Sequence, residues 1–366
     1  MKIKNISIYQ YSIPMVPFTI ATGTMNFAQN ILIQIYTDEG IIGWGECSAF
    51  PMIVGETQNT CYTLAKDFAY IWKEKDPLLI EVRMHELHQY IAGNYTIKSA
   101  FDMALYDIAA QYQNVPLYAF LGGNNKIIES DLTIGIDTPV AMAASASAFA
   151  KKRVHCIKVK LGKSILDDIE RIKQIRNTIG YDIRIRIDAN QGWNPTDAFA
   201  ILQALAPYQI EFCEQPMAKY NDDLLPKLCT DSPIPIMADE SVFTHHDAAR
   251  IIRTQSCHAI NIKFSKSGGI LEAIAINKLA AEYGIPCMMG GMLESRLALT
   301  AMVHFAVANN NIQYFDLDTC LIGHLEDPVL DGAHYKNGLQ LTAPDLPGIG
   351  ARVDETYLKT LKNITI

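Results

Sequence analysis

Apolar and polar positions alternate along the start of the chain. Segments 3 to 13 and 30 to 36 are rich in β-branched and aromatic residues, and Asp38-Glu39-Gly40 turns the chain into IIGWGE, a pattern that predicts an antiparallel meander. The period then lengthens. Between 97 and 112, Phe101, Ala104, Leu105, Ile108 and Ala109 recur at helical spacing until Pro116 and Gly122-Gly123 end the run. Residues 1–125 therefore read as an α+β module. From 126 the pattern changes again, to short apolar strands that each precede a helix: DLTIGID, VHCIKVKLG, IRIRIDAN, IEFCEQP, IPIMADES, AINIKFS, IPCMMGG and QYFDLD. Such alternation up to residue 324 predicts a parallel sheet with crossover helices, and eight strands favour a closed barrel. An open doubly wound sheet competes, but no GxGxxG follows an early strand. Residues 325–366 return to turns and short apolar pieces that can rejoin the first module.

Composition narrows the function. With 366 residues, 49% of them hydrophobic, the chain can bury a large interior. Its 31 basic and 39 acidic residues give a net charge of −8, and the absence of any Lys/Arg-rich run argues against a nucleic-acid partner. The opening MKIKNISIYQYSIPM has no leader-like apolar core, and no stretch reaches the ~18 apolar residues of a membrane span, so no membrane partner and a cytoplasmic location are expected. A homo-oligomer is expected as well. The eight cysteines form no CxxC pair and read as reduced core residues. Cys213 alternates with Phe212 and Glu214, so its thiol should point away from that acid.

The chemistry lies at the strand ends. These carry Lys158 and Lys160, Asp188, Glu214, Asp239, Lys263, and Asp316 with Asp318, and the separations from Lys160 onward to Lys263 are 28, 26, 25 and 24 residues. Each matches one strand-loop-helix-loop unit, so one charged group is delivered per strand to the mouth where the carboxyl ends converge. Any one acid alone would read as a solvated strand end. Together Asp188, Glu214 and Asp239 would repel unless a cation joined them, and an all-oxygen set without Cys or His points to Mg²⁺, with Mn²⁺ as a substitute. Lys158 and Lys160 alternate with Ile157 and Val159 and so face the interior, where ammonium groups need anions. Lys263 comes three strand ends beyond Asp188, roughly across the barrel from Lys160. A lysine on each side of a bound molecule can remove a proton from one face and return one to the other. Lys151 and Lys266 read as solvated.

A proton beside a carboxylate is feebly acidic, because its loss puts a second negative charge on an ionised group. A divalent cation and a cationic Lys158 would stabilise that charge.

These residues also carry a family resemblance. KVK at 158 to 160, DANQGW from Asp188, EQP from Glu214, ADES from Asp239 and NIKFSKSGG from Asn261 resemble the muconate-lactonising-enzyme subgroup of the enolase superfamily. GWGE at 43 to 46, MALYD at 103 to 107 and PLYAFLGG at 116 to 123 extend the likeness over essentially the whole chain. The resemblance implies an α/β fold, a modified TIM barrel (β/α)7β at 126–324 under an α+β capping domain made of 1–125 and 325–366. It also implies Asp188, Glu214 and Asp239 as Mg²⁺ ligands, with Lys160 and Lys263 as the acid/base pair. Within the subgroup, DLD at 316 to 318 resembles the DxD of dipeptide epimerases, which grips the substrate's α-ammonium. Alternation on a strand puts Asp316 and Asp318 on one face, suiting that role. Thr133, Gly291 and Met292 match further substrate-contacting positions.

One departure bears on specificity. Ala-Glu epimerases of this group carry an arginine in a mobile loop near residue 20; here the segment is PFTIATGTM, with Gly23 at that place. Without the guanidinium a second carboxylate would be unpaired, so the expected substrate is an Ala-Xaa dipeptide with a small, apolar or weakly polar second residue. Ile20, Thr22, Thr24 and Met25, with Phe50, Met52 and Ile53, are expected to shape its pocket. Ala-Ala is included, in forms such as D-Ala-D-Ala and D-Ala-L-Ala that cell-wall peptide turnover would supply. The rivals are an N-acyl amino acid racemase or o-succinylbenzoate synthase, whose substrates lack a free ammonium, and a non-catalytic peptide-binding barrel. A metal-dependent hydrolase fits less well, since the acid set lacks histidine and no GxSxG occurs.

Overall fold

The computed structural model describes residues Met1 to Ile366. Two long antiparallel strands open it, β1 (Ile3–Ile20) and β2 (Gly23–Thr37), followed by β3 (Ile42–Ser48). Helices α1 (Gln58–Trp72), α2 (Ile80–Tyr90) and α3 (Tyr95–Tyr112) come next. Alternation along β2 decides the packing: Ile31, Ile33 and Ile35 join Phe68, Trp72 and Phe101 in the core of this unit, while Leu32 joins the larger core. Helix α3 is buried from Thr96 to Ala110, which explains an apolar character wider than one stripe. It lies so close to β3 that a Cβ at Gly45 would overlap the Ala100 carbonyl.

The barrel follows. Its strands are β4 (Leu132–Ile134), β5 (Cys156–Lys160), β6 (Arg184–Asp188), β7 (Ile210–Glu214), β8 (Ile236–Ala238), β9 (Ala259–Ile262), β10 (Cys287–Gly290) and β11 (Ile312–Asp316). They pair in sequence order and in parallel, and Asp131 N donates to Phe315 O (3.1 Å) where the two edges meet. All eight strands expected from the sequence are present. Phe212, Met237, Ala259 and Met288 fill the interior, whereas Ile157, Val159 and Cys213 face the surrounding helices, as alternation requires. Among those helices are α4 (Pro139–Lys151), α5 (Ile165–Ile179), α6 (Pro195–Leu205), α7 (Leu225–Asp231), α8 (His245–Arg253), α9 (Ile270–Glu282) and α10 (Arg296–Ala308). Beyond the barrel, β12 (Val329–Asp331) pairs with β13 (Ala351–Val353), and β14 (Asn363–Thr365) adds to β1.

Buried carboxylates join the N-terminal sheet unit to the barrel. Glu46 on β3 accepts from Ser295 N (2.8 Å), Ser295 Oγ (2.6 Å) and Ala298 N (3.1 Å), satisfying free amides at the start of α10. Asp102 on α3 does the same for Ile270 N and Leu271 N of α9. All eight cysteines are unpaired, six of them buried. No helix is long and apolar enough to cross a membrane.

Candidate active site

Register builds the mouth of the barrel. Lys160 pairs with Asp188, and Asp188 with Glu214, so β5, β6 and β7 set a lysine and two acids side by side. Asp239 follows β8 directly, and Lys263 follows β9. Lys160 and Lys263 thus stand four strands apart in an eight-stranded ring, with the three acids on the strands between them. Lys160 Nζ reaches Asp188 Oδ2 at 2.6 Å, and Lys263 Nζ reaches Asp239 Oδ2 at 2.8 Å. Lys158, fully buried, sits at the centre, 2.7 Å from Glu214 Oε2, 3.3 Å from Asp188 Oδ2 and 2.6 Å from Asp316 Oδ2.

The acids are held by neighbours as well as by charge. Asn190 donates through N (2.8 Å) and Nδ2 (3.2 Å) to Asp188, Asn261 Nδ2 donates to Glu214 Oε1 (2.8 Å), and Gln215 Oε1 accepts from Asp239 N (2.9 Å). Burial would raise the pKa of Asp188 and Asp239, but adjacent lysines outweigh it and hold both carboxyls below the ordinary range. Glu214 is pushed up to about 7 by burial and by the charge of Asp188. Burial works against the Lys263 ammonium, yet Asp239 and Glu214 keep its pKa above the ordinary value. Glu214 Oε2 is buried without a hydrogen-bond partner, since Lys158 approaches it off line. An all-oxygen donor set with one orphaned carboxylate oxygen fits a hard divalent cation.

A second acid group lies on the far side of Lys158. Asp131, Asp316 and Asp318 bring carboxylate oxygens within 4.8 Å of one another. Asp131 is taken up by Arg186 (2.8 Å) and Asp316 by Lys158, while Asp318 accepts from Thr133 N (2.6 Å). Burial would raise the pKa of Asp316, but Lys158 holds it down at about 2; burial and the Asp316 charge push Asp318 up to about 7. Lys160 and Lys263 from the first group and Asp316 and Asp318 from the second open on one small cavity of about 30 Å³, lined also by Thr133, Gly291 and Met292 among others.

Three expectations need correction. Lys266 is not solvated: it is fully buried, and its Nζ donates to Asp239 O (2.6 Å), Asp239 Oδ1 (2.6 Å) and Asn261 O (2.9 Å). The short helix Phe264–Ser267 turns it back beneath the strand ends. The segment around residue 20 is no loose loop but the tip of the β1–β2 hairpin, its Thr and Ile residues suiting extended backbone. On that tip Thr24 is exposed and bonds Thr19 Oγ1 (2.8 Å), away from the cavity; of the residues expected to shape the pocket Ile20, Phe50 and Ile53 line it, whereas Thr22, Met25 and Met52 do not. Gly23 packs against Met52, so an arginine there would have to displace that side chain. Sequence reading did not single out Asp131, Asn190 or Asn261 as site residues, nor Phe18 and Ile322 of the cavity wall. Asn190 and Asn261 lie inside the motifs quoted above, and their proximity to the acids was the available signal.

Comparison with known proteins agrees with this architecture. Residues 3–122 match the mandelate racemase / muconate lactonizing enzyme N-terminal domain, and residues 141–357 the enolase C-terminal domain-like family. The chain is 42% identical to a D-Ala-D/L-Ala epimerase of Cytophaga hutchinsonii over 100% of both proteins. A dipeptide epimerase structure from that organism, complexed with Mg and D-Ala-L-Val, superposes with a TM-score of 0.98 at 42% identity over 100% of both chains. One from Enterococcus faecalis, complexed with Mg and L-Leu-L-Tyr, gives 0.93 at 37% identity, covering 96% of this chain and 99% of the other. An eight-stranded barrel under an antiparallel cap, with charged residues from successive strands gathered at one mouth, thus coincides with full-length similarity to epimerases, and the chain belongs to the enolase superfamily as one of its isomerases.

Proposed function

We propose that this protein is a Mg²⁺-dependent dipeptide epimerase that inverts the α-carbon of the C-terminal residue of Ala-Xaa dipeptides, with Xaa small, apolar or weakly polar. The observation that carries the reading is the meeting, in one cavity, of two lysines from opposite strands with the separate acid pair Asp316 and Asp318. Relatives whose structures hold Mg and a dipeptide support it. In this reading 126–324 is the catalytic barrel, and 1–125 with 325–366 the cap.

Asp188, Glu214 and Asp239 would hold Mg²⁺, or Mn²⁺ in its place, which supplies the positive charge that a doubly charged reacting group requires. Lys160 and Lys263 then act from opposite faces, one removing the α-proton and the other returning one. Lys158 adds a fixed positive charge beside the reacting carboxylate. Asp316 and Asp318 receive the α-ammonium, whose charge suits the excess of acid there. Thr133, Gly291 and Met292 border the same cavity and position the backbone. The absence of an arginine at position 23 disfavours an acidic second residue.

Incubation with Mg²⁺ and Ala-Ala or Ala-Val in D₂O should place deuterium at the C-terminal α-carbon. N-acetyl-Ala-Ala, which has no ammonium for the aspartate pair, should turn over at least about 100-fold more slowly. Lys160→Ala and Lys263→Ala should each abolish epimerisation while fold and metal binding persist. Full activity in either variant would refute the two-base mechanism, and faster turnover of the acylated substrate would favour an N-acyl amino acid racemase.

A further inference from the structure

Behind one wall of the substrate cavity lies a second cavity of about 360 Å³. Phe18, Thr133 and Ile322 line both spaces. The Phe18 ring stands against Gly135, where an added Cβ would come within 3.3 Å of it, and Thr19 O accepts from Ile136 N at 2.9 Å. The partition is therefore one side chain deep, made of Phe18 with Thr133 and Ile322, and the hairpin tip that carries the ring is tied to the loop that follows β4.

Its position identifies what it divides. Thr133, common to both spaces, holds Asp318 through its backbone N–H, so the shared wall lies at the aspartate end of the site, where an α-ammonium is received. Lys160 and Lys263, which flank the reacting carbon, border the first cavity but not the second. Beyond the partition the half-buried Ile136 and Phe149 offer apolar surface, beside the polar Thr19, Asp137 and Ser145. A side chain attached next to the ammonium would point toward this space, and Phe18 stands in its way.

We propose that the second cavity is a latent subsite for an apolar side chain on the N-terminal residue of the substrate, and that Phe18 closes it and so confines that position to alanine. The inference rests on the dipeptide epimerase reading and assigns the residue that sets first-position specificity. Removing the ring joins the two spaces and admits Leu or Phe.

The test compares wild type, Phe18→Ala and Phe18→Leu by α-carbon deuterium incorporation from Ala-Ala, Leu-Ala and Ala-Leu in the presence of Mg²⁺. In Phe18→Ala, kcat/KM for Leu-Ala relative to Ala-Ala should rise by at least about tenfold, the scale on which an apolar pocket favours a side chain that fills it, while Ala-Leu relative to Ala-Ala stays as in wild type. Adding Ser145→Phe, which fills the second cavity from behind, should reverse the gain. An unchanged Leu-Ala ratio in a folded variant overturns the proposal, as does an equal gain for Ala-Leu, which would assign the space to the second residue. Should Phe18→Ala fail to fold, the same ratio in Phe18→Leu decides, with a smaller rise supporting the subsite and none refuting it. A wild-type enzyme inert toward every dipeptide would remove the epimerase reading itself, whereas wild-type turnover with an unaltered first-position profile in the variants removes only the subsite.

Discussion

The three hydrogens of the Lys266 ammonium meet three oxygens, two of them from Asp239. A carboxylate gripped this way cannot rotate freely, and Asp239 is one of the acids proposed to hold the metal. Lys266→Met should therefore weaken Mn²⁺ or Mg²⁺ binding, followed by electron paramagnetic resonance or calorimetry, by about 10- to 100-fold, as loss of a ligand's supporting contact does. Unaltered affinity would show that the lysine only fills space. The misreading of Lys266 is instructive. Strand phase tells which way Lys158, Lys160 and Glu214 point, because alternation is fixed inside a strand. Lys266 lies in the turn after β9, where phase is lost and only tertiary structure decides whether the side chain folds back. Thr24 was expected in the pocket and lies outside it for a related reason: proximity to the site in sequence does not say which face of a hairpin tip a residue occupies.

Helix α10 shows what a single buried imidazole does for an element. His304 Nδ1 accepts from Tyr118 N (3.0 Å), while Nε2 lies 3.0 Å from Ile349 O and donates to it, so the ring joins three segments and must be neutral to do so. Burial lowers its pKa to about 4. A histidine depressed from about 6.5 adds stability that is fully present above the unfolded value and lost as pH falls toward the folded one. The shift corresponds to roughly 3 kcal/mol. His304→Gln should accordingly lie furthest below wild type above pH 7, and the gap should narrow between pH 6.5 and 4 in urea denaturation; a gap constant with pH would contradict this assignment. Elements of this kind were readable where period and punctuation agreed, as for the eight barrel strands and for α3. The pairing of β14 with β1 was not, because three residues carry no periodicity and their partner lies at the opposite end of the chain.

At the scale of the whole molecule, acids used as helix caps tie the N-terminal sheet unit to the barrel, alongside a shared apolar core. Glu46 satisfies three donors around the start of α10 and also accepts from Asn30 Nδ2 (2.8 Å), so losing it strands several buried groups at once. Glu46→Ala should lower unfolding stability by about 3 kcal/mol, and Glu46→Gln, which keeps one acceptor, by less; equal, negligible losses in chemical denaturation would mean that apolar packing alone docks the sheet. The hairpin of β1 and β2 reaches from this docked sheet to the mouth of the barrel. Its ladder is interrupted between Pro14 and Phe18, just where Val16 N is tethered to Gly323 O at 2.8 Å. Phe18 and Ile20, beyond the interruption, line the cavity from the side of the cap. The wall above the cavity and the barrel beneath it thus come from different layers, so a substitution that displaces the tip opens the cavity and leaves the charged groups in place.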